Sequence, residues 1–187
     1  MKICPALALP LFAALVACGS APPVRYYTLL RPPEAGAPPP QQLAAVQVLS
    51  VQVPAAADYP QLVVRQGAER VELVEAQQWI APLPQEIRNA LVARLSSVTP
   101  PAGVDGLKLG VDVTRFESVL GSYALLEAQW QLRAGRDEPL VCASRVSEPV
   151  GDGFESLVAG HQRALDRLAA DVATAVRSYG SAQRRCP

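Results

Sequence analysis

Histidine occurs once in this 187-residue chain, and cysteine only four times. No second histidine or nearby cysteine stands at ligand spacing from His161, so nothing in the sequence supports a zinc site. The charges leave no field of one sign: 17 basic and 17 acidic side chains balance, which removes the basic surface that nucleic acid requires. Long apolar runs are also missing. The one candidate, "ALALPLFAALVA" near the start, is shorter than the roughly 18 residues a spanning helix needs. Pro10 interrupts that run and Pro5 precedes it, so a stable transmembrane anchor is not expected. Catalytic signatures are equally scarce. There is no GxSxG, and "GDG" at 151–153 lacks the rest of a phosphate loop and reads as a turn and helix cap. No cofactor and no enzymatic activity are expected.

What is present begins at the amino terminus. Lys2 supplies a positive n-region, the apolar run follows, and "LVAC" closes it at Cys18. Leu15 fits poorly at an ordinary signal cleavage site, whereas Leu-Val-Ala-Cys resembles a bacterial lipobox. In such a motif the cysteine is acylated and becomes the first residue of the mature chain. Residues 1–17 are therefore expected to be a signal peptide and Cys18 the lipidated residue, and without Lys2 the charges stand at 16 against 17. Cys4 leaves with the signal, so Cys142 and Cys186 remain in a chain bound for an oxidising compartment. A disulfide between them would close a loop of about 44 residues and contribute about 4 kcal/mol on the loop-entropy model. A buried strand cysteine with an unrelated tail thiol is the alternative.

Residues 18–40 are rich in proline and predict an extended tether, interrupted by a short strand near 24–30 in "VRYYTLL". Residues 41–187 are expected to form one α/β domain. In "AAVQVLSVQVP" the apolar parity changes at Leu49-Ser50, which predicts a β-bulge or burial on both faces. "QLVVR" and "RVELVE" predict a hairpin turning at Gly67. A helix is expected over about 85–98, with Pro84 in its first turn and Ile87, Leu91, Leu95 and Val98 in one stripe. Three alternating strands follow in "GLKLGVDVTRF", "SYALLEAQWQLRAG" and "PLVCASRV", an antiparallel meander. The last element is a long helix, with Asp152 as its cap, Glu155 at capping-box spacing and Gly180 beyond its end. Its apolar stripe runs from Phe154 to Tyr179 and includes His161, which reads as a packed residue. The stripe favours the sheet as partner, although its heptad-like spacing leaves a homo-oligomer open. The sum is an α/β (α+β) two-layer sandwich: a mixed, mostly antiparallel sheet with two helices packed on it.

Two groups of side chains merit attention as sites. Glu72 and Glu75 lie near Trp79 as an acid/base pair in principle, but the pattern places them on a solvated face. Trp79 and Arg65 stand among prolines and short strands, where an exposed edge would use them as anchors for a partner protein. Alternatively, Trp79 fills the seam between sheet and first helix.

The lipobox at Cys18, "YYTL", "VQVLSVQVPAAADYPQLVVR", "VELVEAQQWIAPLPQEIRNALVARL" and "FESLVAGHQRALDRLAADVATAV" together resemble the ABC-type transport auxiliary lipoprotein family. These are relatives of the lipoprotein encoded with paraquat-inducible membrane proteins. Gln78 departs from the basic residue expected before the tryptophan. The resemblance implies an outer-membrane lipoprotein facing the periplasm that accompanies transport systems containing MCE-domain proteins, which move phospholipids between membranes. It implies docking of an MCE-domain partner and no catalysis. A lipid carrier with an apolar cavity between sheet and helix is the alternative, and a cell-envelope hydrolase a third.

Overall fold

The computed structural model describes residues 22–32, 45–181 and 185–187. Cys4, Cys18 and most of the proline-rich stretch lie outside them. Strands form where apolar and polar residues alternate, and the element order is β1 (Arg25–Tyr27), β2 (Val46–Gln52), β3 (Gln61–Gln66), β4 (Arg70–Trp79), α1 (Leu83–Leu95), β5 (Leu107–Val119), β6 (Tyr123–Ala134), β7 (Leu140–Pro149) and α2 (Phe154–Ser178).

The fold is α+β, with two helices laid on a mixed sheet as the sequence predicts, but the strands divide into two sheets rather than one. The larger has the order β2-β5-β6-β7 and the smaller β1-β4-β3. The meander β5-β6-β7 is antiparallel throughout. Two pairings are parallel, β1 with β4 and β2 with β5. Local periodicity does not encode either, because each joins segments dozens of residues apart. The parity change in β2 is a register shift between Val48 and Ser50 against β5, which turns Leu49 to solvent. A second shift between Val113 and Arg115 moves the inward side of β5 from odd to even positions, so Phe116 and Ser118 face inward at its far end. Gly67 turns the β3–β4 hairpin with φ +78°, a backbone that side-chain-bearing residues seldom adopt.

The inner face of the large sheet carries Leu107, Leu109, Val111, Val113, Leu126, Trp130 and Leu132, all buried. The stripe of α2 covers it with Val158, Leu165, Leu168, Val172 and Ala175. Helix α1 lies against β2 and α2, and its buried stripe is Leu83, Ile87, Ala90, Leu91 and Leu95. That helix starts and stops earlier than its apolar spacing predicts, and Val98 lies beyond its end. Asp152 does not cap α2. The residue before the helix is Gly153 with φ +94°, and no side chain caps it. Gly160 is fixed by packing: a Cβ there would meet Val150 at 2.3 Å and Ala124 at 3.0 Å, so α2 approaches the sheet closely at this point. A polar thread crosses the same interface, where Trp130 Nε1 donates to Ser144 Oγ (3.0 Å) and Ser144 Oγ donates to Asp171 (2.6 Å).

The segment after β1 is held between the two helices by charge. Glu86 is 2% exposed in the first turn of α1. Its carboxylate accepts the Leu29 N–H at 2.8 Å and the Thr28 hydroxyl at 2.7 Å. From α2, Gln162 Nε2 donates to the carbonyls of Thr28 and Leu30. Asp166 binds Arg94 at 2.6 Å and Arg31 at 2.7 Å. Leu29 is fully buried at the centre. The stretch expected to be a short strand within a tether is a strand at Arg25–Tyr27, and the residues after it are clamped between the two helices. At the other end of the chain, Cys142 of β7 is joined to Cys186, with sulfurs 2.02 Å apart.

Two measurements probe these ties. Glu86→Ala leaves the Leu29 N–H buried without an acceptor and should lower unfolding free energy in urea by about 2–3 kcal/mol, whereas Glu86→Gln, which keeps an acceptor, should cost less. Protein purified without reductant should offer no thiol at Cys142 or Cys186 to a labelling reagent until reduced, and Cys142→Ala/Cys186→Ala should lose about 4 kcal/mol.

Candidate functional site

The two sheets meet at the far end of β5, and a shallow groove of about 210 Å³ opens there. Val63, Arg65, Val71 and Phe116 line it, with Glu117 and Ser118 along β5. Its charged rim centres on Glu117. That carboxylate binds Arg65 Nε at 2.9 Å, binds Arg115 at 3.4 Å and accepts the Tyr123 hydroxyl. Arg115 and Arg145 in turn both pair with Glu127. Burial pulls the Glu117 carboxyl upward, but the hydrogen bonds from Tyr123 and Arg65 outweigh it and hold the group below its ordinary range. Hydrogen bonding to Glu117 correspondingly raises the Tyr123 phenol.

Behind the groove, aromatic rings join the sheets. Trp79 meets Phe116 edge-on with centroids 6.2 Å apart, and Phe116 stacks on His161 at 3.9 Å. Trp79 is 6% exposed, so its indole fills the seam and Arg65 alone of the two reaches the rim. Arg65 is partly exposed but engaged, with Nη1 also donating to the Ala68 carbonyl. The structure does not bring Arg65 and Trp79 together as a pair of surface anchors. Glu72 accepts from Gln66 and Glu75 from Gln61, both on exposed faces and without a shared cleft.

Sequence reading missed the Ser118–His161 contact, since 43 residues separate them and neither belongs to a motif. Ser118 Oγ and His161 Nε2 lie 2.8 Å apart. His161 is 1% exposed, and burial pushes its pKa down to about 3, so the ring is neutral at physiological pH. Its Nδ1 has no hydrogen-bond partner among the described residues. A nucleophilic serine needs its base oriented through that nitrogen by a third group, and among the described residues none stands there. The pair fixes β5 to α2. Among the described residues, no group of three His, Cys, Asp or Glu side chains could hold a metal ion, and no helix is long and apolar enough to cross a membrane.

A model of the ABC-type transport auxiliary lipoprotein component family matches residues 27–173. The chain belongs to that family. Its match begins at the clamped segment and ends within α2, so it spans both sheets and both helices. Solved structures agree on the fold. A crystal structure of a protein described as uncharacterized superimposes with a TM-score of 0.63 at 20% identity, covering 82% of this chain and 98% of that one. A Xanthomonas campestris protein gives a TM-score of 0.62 at 20% identity, with 80% and 93% covered. No curated protein matches the chain. Membership of this lipoprotein family implies a cell-envelope location and association with an ABC-type transport system.

His161 gives a pH prediction. Its folded pKa lies below the unfolded value of 6.5, so between about 3 and 6.5 the unfolded chain binds the extra proton and stability falls as pH falls. At pH 5 the loss relative to pH 7 should be about 2 kcal/mol by urea unfolding, and His161→Gln should flatten that part of the profile.

Proposed function

We propose that this protein is an outer-membrane-anchored, periplasmic docking subunit of an MCE-type intermembrane phospholipid transport system, acylated at Cys18 and non-catalytic. The observation that carries this reading is the family match over a fold whose first strand begins seven residues after Cys18. Strand β1 is built into a sheet and its following residues are locked to both helices, so an acyl group at Cys18 would hold a folded body rather than a loose chain. One acyl chain binds membranes reversibly, and the several chains of a lipoprotein, palmitate among them, anchor durably. Gly19 and Ser20 offer no aspartate of the kind that retains lipoproteins in the inner membrane.

A docking role fits the surface better than carriage. A lipid carrier needs an enclosed apolar cavity of a few hundred Å³. The apolar groove here is open, about 210 Å³, and lies between the sheets. Between large sheet and helices stand Leu107, Leu132, Leu168 and Trp130, all fully or almost fully buried. We assign partner contact to the groove rim, where Arg65 and Arg115 flank the exposed Val71. The stripe of α2, the other candidate for self-association, is taken up by the sheet.

The anchor and the partner have separate tests. Cys18→Ser should move the protein from the membrane fraction to the soluble periplasm, and retention in the membrane would overturn the lipidation. Crosslinking in cells followed by purification should recover an MCE-domain protein, and Val71→Glu, at the exposed part of the rim, should reduce that yield at least several-fold without altering the thermal midpoint by more than a few degrees. Recovery of the intact protein free of any MCE-domain partner, while other envelope complexes survive, would remove the docking role.

A further inference from the structure

Outside the groove, several exposed apolar residues lie near β1 and the end of β4. Tyr26 is 59% exposed and stands opposite Gln78 in the parallel β1–β4 pairing. Ile80 is 60% exposed, just beyond the end of β4, and its N–H binds the Tyr27 carbonyl at 2.9 Å. Next to it a depression of about 360 Å³ is walled by Tyr59, Pro60, Ile80 and Pro82, with Asp58 at its edge. Val24 and Tyr59 are exposed as well. Isolated exposed apolar residues need no explanation, but Tyr59 and Ile80 share one depression, and Tyr26 stands opposite Gln78, two residues before Ile80 on the neighbouring strand.

What covers the patch follows from the covalent chain. Only three residues lie between Cys18 and Pro22, the first described residue, and the four steps from one to the other span at most about 14 Å when fully extended. Nor is the strand that follows free to swing away, because it is paired with β4 and tied through Glu86, Gln162 and Asp166. An acyl group on Cys18 therefore brings this end of the body to the lipid headgroups. Tyrosine is suited to that depth, with an apolar ring and a polar tip. Arg25, Asp58 and Gln78 border the patch and match a headgroup layer rather than the hydrocarbon below it.

We propose that the surface formed by Tyr26, Tyr59 and Ile80 rests on the bilayer as a second, non-covalent membrane contact that sets the orientation of the protein. This rests on acylation of Cys18 as proposed above.

The test uses the full-length acylated protein in vesicles of phosphatidylethanolamine and phosphatidylglycerol, with and without acyl-brominated phosphatidylcholine. Three variants add one tryptophan each to the buried Trp79 and Trp130: Tyr26→Trp, Ile80→Trp and Val141→Trp. Val141 is exposed on β7, eight residues of strand (about 26 Å) from Pro149. The Pro149 end leads into α2, whose Glu155 pairs with Arg25, so Val141 is the distant control. Bromination should remove about half of the added fluorescence at positions 26 and 80 and none at 141. Intact mass showing the acyl chains, with quenching at 26 and 80 no greater than at 141, overturns the contact and leaves the anchor standing. A mass without acyl chains removes the anchor and this contact together. Quenching equal at all three positions also overturns it.

Discussion

The Glu86 carboxylate is the constraint on which the rest depends. A charged group this deeply buried is costly unless its oxygens are occupied. Here the first turn of α1 presents Glu86 where the helix dipole favours negative charge, and the Leu29 N–H and Thr28 hydroxyl occupy it. Neither partner belongs to α1. The acid is therefore satisfied only when the amino-terminal segment lies in place, and that segment lies in place only when α2 supplies Gln162 and Asp166. Three distant parts of the chain become mutually necessary, and the segment after β1 is committed to one place on the body.

A second joint, aromatic instead of ionic, holds the sheets. Trp79 from the small sheet, Phe116 from β5 and His161 from α2 form one line of rings. The histidine stays neutral, so it packs as an apolar ring with one polar atom tied to Ser118. Across the same seam Arg65 and Glu117 make the surface counterpart of this joint. The groove owes its shape to both: rings close its back, and the ion pairs fix its rim.

The large sheet was legible in the sequence because alternation is a local signal. In β6, and in β5 as far as Val113, the inward residues are those the period of two predicts, and the parity change at Leu49 corresponds to a real bulge. The long stripe of α2 was legible for the same reason, including the burial of His161. Other features are not written locally. The division into two sheets depends on parallel pairings between remote segments, and Gly153 rather than Asp152 precedes α2 because the turn needs a positive φ. Glu86 reads in sequence as an ordinary first-turn acid, and nothing nearby reveals its partners 57 residues earlier. Of the surface candidates, Arg65 lies on the groove while Trp79 lies behind it, a distinction that requires knowing how β4 twists into the seam.

The two parallel pairings carry a consequence for biogenesis. Strand β1 needs β4 beside it, and the segment after it needs residues of α2, so the first element in the chain is completed by the last. Contacts of such long sequence separation form slowly. A chain with this topology reaches its native packing only once α2 has formed, so loss of the α2 residues that bind the amino-terminal segment also loosens β1.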